Sequence, residues 1–272
     1  MSFLKTFFAF YINSSIHVGL AVYAFTRMTE LYFEIPYQQD VDYFIFFATI
    51  SGYNFVKYAG VAKLHHMSLT KNLRIIQIFS LICFLLMCFY AYRLPLKTLL
   101  FFVPFGILTI LYTVPFLSGF QKNLRNIAHL KIIVVALIWA SVTVLLPIYH
   151  SEKAIETNAV LVSLQRFFIV MALMLPFDIR DLKYDAVSLQ TIPQKIGIPQ
   201  TKRFGLALML FALTMEFMVA PDATIKNIFM LFFFVTLLFL MRAKENQPKY
   251  YSAFWVEAIP IFWWLVLLGF VN

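Results

Sequence analysis

Three aspartates stand out in a chain that holds only 13 acidic residues. They lie in the run Asp178-Ile179-Arg180-Asp181-Leu182-Lys183-Tyr184-Asp185, where a long apolar segment meets polar sequence. Positions i, i+3 and i+7 fall within one sector of a helix at about 100° per residue, so Asp178, Asp181 and Asp185 can present one acidic face while Arg180 and Lys183 point elsewhere. Magnesium keeps several waters and binds through one or two carboxylates together with phosphate oxygens. Such a face at a membrane interface therefore suits Mg2+ held against a diphosphate. The same spacing equally permits a solvated helix end balanced by Arg180 and Lys183.

The elements that must position these acids are membrane helices. The chain is 62% hydrophobic and 13% charged, with 32 phenylalanines, and its apolar residues fall in repeated runs of roughly 20. The pattern predicts an all-α membrane protein, a bundle of about nine transmembrane helices. They are placed at Phe7 to Tyr32, Tyr43 to Ala62, Leu73 to Tyr92, Leu96 to Leu117, Ala128 to Tyr149, Ala159 to Phe177, Phe204 to Ala220, Ile225 to Met241 and Phe254 to Val271. No connecting stretch is long enough for a soluble domain, so residues 1–272 are expected to form a single membrane domain. The first run has only Lys5 ahead of it and contains Asn13, His17 and Arg27, which fits an uncleaved helix better than a removable signal.

Basic residues set the expected orientation. With the N-terminus cytoplasmic, that side receives Lys5, Lys63, Lys71, Arg74, Lys122, Arg125, Lys131, Arg180, Lys183, Lys195, Lys202, Arg203, Arg242, Lys244 and Lys249. The other side receives Arg93, Lys97, Lys153 and Lys226. The positive-inside bias places the protein in the cell membrane as a multi-pass chain, with the Asp178 loop cytoplasmic and the C-terminus opposite. The net charge of +9 then needs no nucleic-acid partner, because basic loops beside anionic lipid account for it. Cys83 and Cys88 fall about 140° apart on one helix and read as apolar filler.

The run from Leu175 to Gly197, with Thr191-Ile192-Pro193 after the aspartates, resembles the second aspartate motif of the UbiA family of intramembrane prenyltransferases. Leu111-Tyr112-Thr113-Val114-Pro115, Lys122, Arg125-Asn126-Ile127, Lys131 and Trp139 are similar to that family's fourth-to-fifth helix connection. The first aspartate motif of the family is degenerate here. Its place reads Asn54-Phe55-Val56-Lys57-Tyr58-Ala59-Gly60-Val61-Ala62, with Asn54 kept and Phe55, Tyr58 and Ala62 where carboxylates are expected. Tyr112 is likewise followed four residues later by Phe116, so Lys122 or Arg125 must supply the charge that the family places there.

The resemblance implies a prenyltransferase that moves an isoprenoid group from a prenyl diphosphate to a lipophilic acceptor by Mg2+-assisted ionisation. It implies Asp178, Asp181 and Asp185 as catalytic and metal-binding residues, with Asn54 beside them. Lys57, Tyr112, Lys122 and Arg125 are then the residues expected at the diphosphate. Lys57, three residues after Asn54 on nearly the same face, can meet the diphosphate in place of a metal ion, or simply reach for the interface. The degenerate motif also leaves open a lapsed relative that binds isoprenoid lipid or a partner. A transporter is disfavoured because the acids gather at one interface and broken half-helices are not evident.

Other intramembrane polar residues carry structural expectations. Arg166 and Glu216 each lie about 17 Å from the same face at about 1.5 Å per residue, on consecutive helices, which predicts an ion pair. Arg27 and Glu30 are spaced to pair near a helix end. Asn13 and His17 suit helix-to-helix hydrogen bonds, and His65-His66 a headgroup contact.

Overall fold

The structure, a computed structural model, describes residues 3–58, 71–113, 130–185, 189–219 and 222–271. Among them ten helices form the bundle: α1 (Phe3–Asn13), α2 (Ile16–Tyr32), α3 (Gln39–Tyr58), α4 (Lys71–Arg93), α5 (Leu96–Thr113), α6 (Leu130–His150), α7 (Thr157–Asp181), α8 (Ile192–Val219), α9 (Ala223–Arg242) and α10 (Tyr251–Phe270). Five of them are long and apolar enough to cross a membrane, six if α1 and α2 count as one bent span. Every one of the apolar runs read from the sequence contains a helix. The first is split in two, and α8 begins a dozen residues before Phe204.

That first split has a local cause. Ser15 adopts a left-handed backbone (φ 62°) and α1 meets α2 at 58°. A break in a membrane helix frees carbonyls that lipid cannot satisfy, and α3 supplies the donors. Asn54 Nδ2 donates to the Ser14 carbonyl (2.9 Å) and to Ser80 Oγ on α4 (2.8 Å), Asn54 Oδ1 accepts from Ser15 Oγ (2.8 Å), and Tyr58 donates to the Asn13 carbonyl (2.9 Å). His17 bridges helices as expected, bonded to the Tyr11 hydroxyl (2.7 Å) and the Phe254 carbonyl (2.9 Å).

The loops sort to two ends. Asp40 pairs with Arg93 (3.0 Å), Lys97 with Glu152, and Lys153 donates to the Phe33 carbonyl (2.6 Å), which joins the loops after α2, α4 and α6. Lys183 meets Glu245 (3.4 Å) and Lys202 donates to the Met241 carbonyl (2.6 Å), which joins the loops after α7 and α9. Arg27 pairs with Glu30 and reaches Asp42 at 3.4 Å. Cys83 and Cys88 are both free thiols.

The expected Arg166–Glu216 ion pair is not formed. Glu216 accepts from the Tyr32 hydroxyl (2.9 Å) and Gln165 Nε2 (2.6 Å), while Arg166 donates to the Phe25 carbonyl (2.9 Å) and lies over the Phe25 ring (4.1 Å). Residue counting fixes depth along a helix but not rotation about it, and nearer donors claim both carboxylate oxygens.

Helix α7 is the central post, packed against α6, α8, α9 and α10. Its seat on α8 depends on Gly205, where an added Cβ would fall 2.4 Å from Leu240 and 2.7 Å from Leu175, both fully buried. Gly205→Val is therefore expected to destabilise the bundle by about 2–3 kcal/mol through overpacking, read as a lower thermal midpoint in detergent. Gly205→Ala should show a smaller drop. Early in α8, Gly197 (φ 74°) precedes Pro199 and turns the chain sharply, and Thr201 Oγ1 closes the turn on the Gly197 carbonyl (2.8 Å).

Candidate active site

Asp178 and Asp181 lie in the last turn of α7, and Asp185 follows in a turn closed by its amide on the Asp181 carbonyl (2.8 Å). Helix α7 runs four residues past Phe177, so the helical geometry assumed for the first two acids holds. Asp178 is only 2% exposed, and Lys131, at the start of α6, reaches it with an Nζ–Oδ1 distance of 2.8 Å. The same ammonium stands 3.6 Å from Asp185. Asp181 is instead held by both Nε and Nη2 of Arg180 (2.7 and 2.9 Å). Two of the three acids thus converge on one lysine, and the third takes a guanidinium.

Two chambers meet at this point. One, about 220 Å3, is almost wholly apolar and is walled by residues such as Val22, Ile45, Phe102, Tyr112 and Val142 from α2, α3, α5 and α6. The other, about 210 Å3, includes Asp178, Asp181, Lys131 and Glu257 in its wall. Tyr53, Lys131, Val135, Trp139 and Met174 belong to both walls, and Trp139 Nε1 donates to the Tyr53 hydroxyl (3.0 Å) at this seam. A greasy hollow and a charged one thus share a wall.

The remaining predicted site residues are distributed differently. Tyr112 is buried in the apolar wall and within electrostatic reach of Lys131. Lys57 donates to Ser15 Oγ (2.9 Å), and Asn54 is fully engaged at the α1–α2 break. Neither Lys57 nor Asn54 is in the wall of either chamber. Lys122, Arg125 and His65-His66 lie outside the described residues.

Sequence reasoning passed over Glu257 and gave Lys131 no role at the acids. The signal for Glu257 was available, since it is an acid three residues into an otherwise apolar run, and an ionisable group inside a span is a functional candidate by default. Lys131 enters the sequence reading only through the charge bias and the resemblance, because its partner lies 47 residues away.

Among the described residues no three acidic, histidine or cysteine side chains close on one point to hold a metal. Asp178 and Asp181 nonetheless share a chamber wall and offer only oxygen donors, and Asp185 Oδ2 is buried without a hydrogen bond. That donor set fits a hard cation bound through two carboxylates and completed by a ligand's oxygens, with Asp178 and Asp181 as its holders.

Among the described residues the architecture is all-helical, that of a multi-pass membrane protein whose bundle holds the two chambers. No protein-family model matches the sequence, and no curated protein does either. Solved structures do match. One, of digeranylgeranylglyceryl phosphate synthase, covers 98% of this chain and 98% of its own at 14% identity and a TM-score of 0.59. Another, a UbiA homolog from Archaeoglobus fulgidus bound to DMAPP and Mg2+, covers 99% of this chain and 100% of its own at 14% identity and a TM-score of 0.56. The chain therefore has the fold of the UbiA-type membrane prenyltransferases.

Proposed function

We propose that the chain is an integral-membrane prenyltransferase that moves an isoprenoid group from a prenyl diphosphate to a lipophilic acceptor. The observation that carries this reading is the seam. Lys131, held by Asp178 and Asp185, stands in the wall shared by an apolar chamber of about 220 Å3, which suits hydrocarbon, and a chamber lined by acids suited to a metal-borne diphosphate. It agrees with the likeness to a solved protein that binds DMAPP and Mg2+.

In this mechanism the donor's hydrocarbon occupies the apolar chamber and its diphosphate sits at Lys131. The fixed ammonium stabilises negative charge as the allylic C–O bond ionises, which is where preorganised charge contributes most. The apolar walls keep water from the carbocation, and the rings of Tyr53 and Trp139 lie at the seam to shield it through their π faces. Bound at Asp178 and Asp181, Mg2+ would supply further neutralisation of the leaving diphosphate. Tyr112 contributes from the apolar side, Lys57, Lys122 and Arg125 remain the further cations proposed for the diphosphate, and the acid-bearing loop is proposed to face the cytoplasm.

The experiment is pyrophosphate release by the full chain in vesicles, with dimethylallyl, geranyl, farnesyl and geranylgeranyl diphosphates, added Mg2+ and a long-chain alkylphenol as the acceptor that takes the prenyl group and releases a proton. Release is expected with at least one donor. Asp181→Asn should lower it by about tenfold, because a carboxylate that helps to hold the metal is lost. No release with any donor would mean a lapsed relative, a reading favoured by the structural engagement of Asn54, and would overturn the enzyme assignment.

A further inference from the structure

We infer that Glu257 is the acceptor-binding residue, and that the acceptor offers it a neutral hydroxyl or amine rather than an anionic group. The inference rests on the prenyl-transfer reading above and extends it to the second substrate.

Glu257 lies where a π turn (Tyr251–Val256) passes into the regular helix Ile259–Val271. Such wide turns inside helices recur at functional sites because they redirect a side chain. Here Glu257 belongs to the wall of the polar chamber, together with Asp178 and Asp181. Its circumstances differ from theirs. Asp178 is paired with Lys131 and Asp181 with Arg180, but among the described residues the Glu257 carboxyl accepts no hydrogen bond and forms no direct ion pair; its backbone amide donates to the Ser252 carbonyl (3.2 Å). Lys57 and Arg180 act on the carboxyl only through longer-range electrostatics.

An acid inside an otherwise apolar span calls for a donor, and a carboxylate can only accept. The chamber is thus built with one acceptor group whose partner must come from outside the protein. The donor substrate's diphosphate cannot be that partner, since like charges repel, and Lys131 provides its natural place at the seam. What remains is the second substrate. A hydroxyl or amino group hydrogen-bonded to Glu257 would stand in the polar chamber, across the Tyr53–Trp139 pair from the apolar one. An acceptor carrying its own carboxylate at that end would meet Glu257, Asp178 and Asp181 together.

The test uses the full chain in phosphatidylcholine vesicles, with the donor that gives pyrophosphate release. Two acceptor probes are compared, a long-chain alkylphenol and the same molecule with a ring carboxylate. Wild type is expected to favour the neutral phenol by about 10–100-fold in kcat/KM, the range in which pocket contacts discriminate. Glu257→Gln, which removes the charge and keeps the shape, should raise the phenol's KM about tenfold and erase the discrimination against the carboxylate. The donor's KM should stay within about twofold, which separates acceptor binding from general damage. Preference of the wild type for the carboxylated probe would overturn the inference, as would a Glu257→Gln enzyme with unchanged acceptor KM and selectivity. If that variant does not fold, the wild-type comparison and Glu257→Asp decide in its place. These failures leave donor-dependent pyrophosphate release intact, whereas absence of release with any donor removes the prenyl-transfer reading and this inference with it.

Discussion

Replacing Lys131 with methionine is expected to lower pyrophosphate release about 10²–10³-fold, the loss typical of removing one preorganised charge from a reacting centre. The substitution acts twice. It takes away the ammonium at the seam of both chambers, and it leaves the buried Asp178 carboxylate without its cation. Removing one partner of a buried pair costs about 3–5 kcal/mol, so the thermal midpoint should also fall. The two effects separate in the double variant Lys131→Met/Asp178→Asn. With no orphaned charge to bury, most of the stability should return while turnover stays low. Near-normal turnover in Lys131→Met would show that another group holds the diphosphate, and recovery of both properties together would show that Lys131 is structural.

Glu216→Ala is expected to be the most damaging substitution outside the chambers, at about 3–5 kcal/mol. The Glu216 side chain is 1% exposed and receives the Tyr32 hydroxyl and Gln165 Nε2, while Arg166 lies 3% exposed nearby. Alanine strands the tyrosine donor, at about 1–3 kcal/mol for a buried unsatisfied group. It also removes the negative charge that balances Arg166 deep in the bundle. Gln165 keeps its second bond, to the Ala212 carbonyl at 3.2 Å, which limits the loss. Glu216→Gln retains an oxygen for Tyr32 and should lose about half as much. Thermal unfolding in detergent reads the stability. Turnover per folded molecule should be unchanged, since Glu216 is in neither chamber wall, and a selective loss of turnover would place it in the catalytic machinery instead.

The spans were legible because hydropathy is local: a run of apolar residues is visible without knowing what it packs against. The Asp178 run was legible for a related reason, since helical spacing within eight residues needs no tertiary knowledge. What escaped depended on how helices turn toward one another. Arg166 and Glu216 sit on consecutive helices as counted, yet the rotation of α7 and α8 hands the carboxylate to Tyr32 and Gln165. Lys131 finds Asp178 only because α6 packs against α7. The break at Ser14 and Ser15 carries neither proline nor glycine, so nothing local announces it, and it sets the partners of Asn54, a residue that the resemblance implies for the site.

The hinge between α1 and α2 also bears on any effort to place an acidic pattern on α3. Grafting aspartate at Phe55 and Tyr58 would not simply add ligands to a vacant shelf. Tyr58 is the peg that fastens the Asn13 carbonyl, and Asn54 beside it already uses its oxygen and both amide hydrogens to lash α1, α2 and α4 together. In this chain that stretch of α3 works as a joint, and a designer who wants carboxylates there must first give the elbow another fastening.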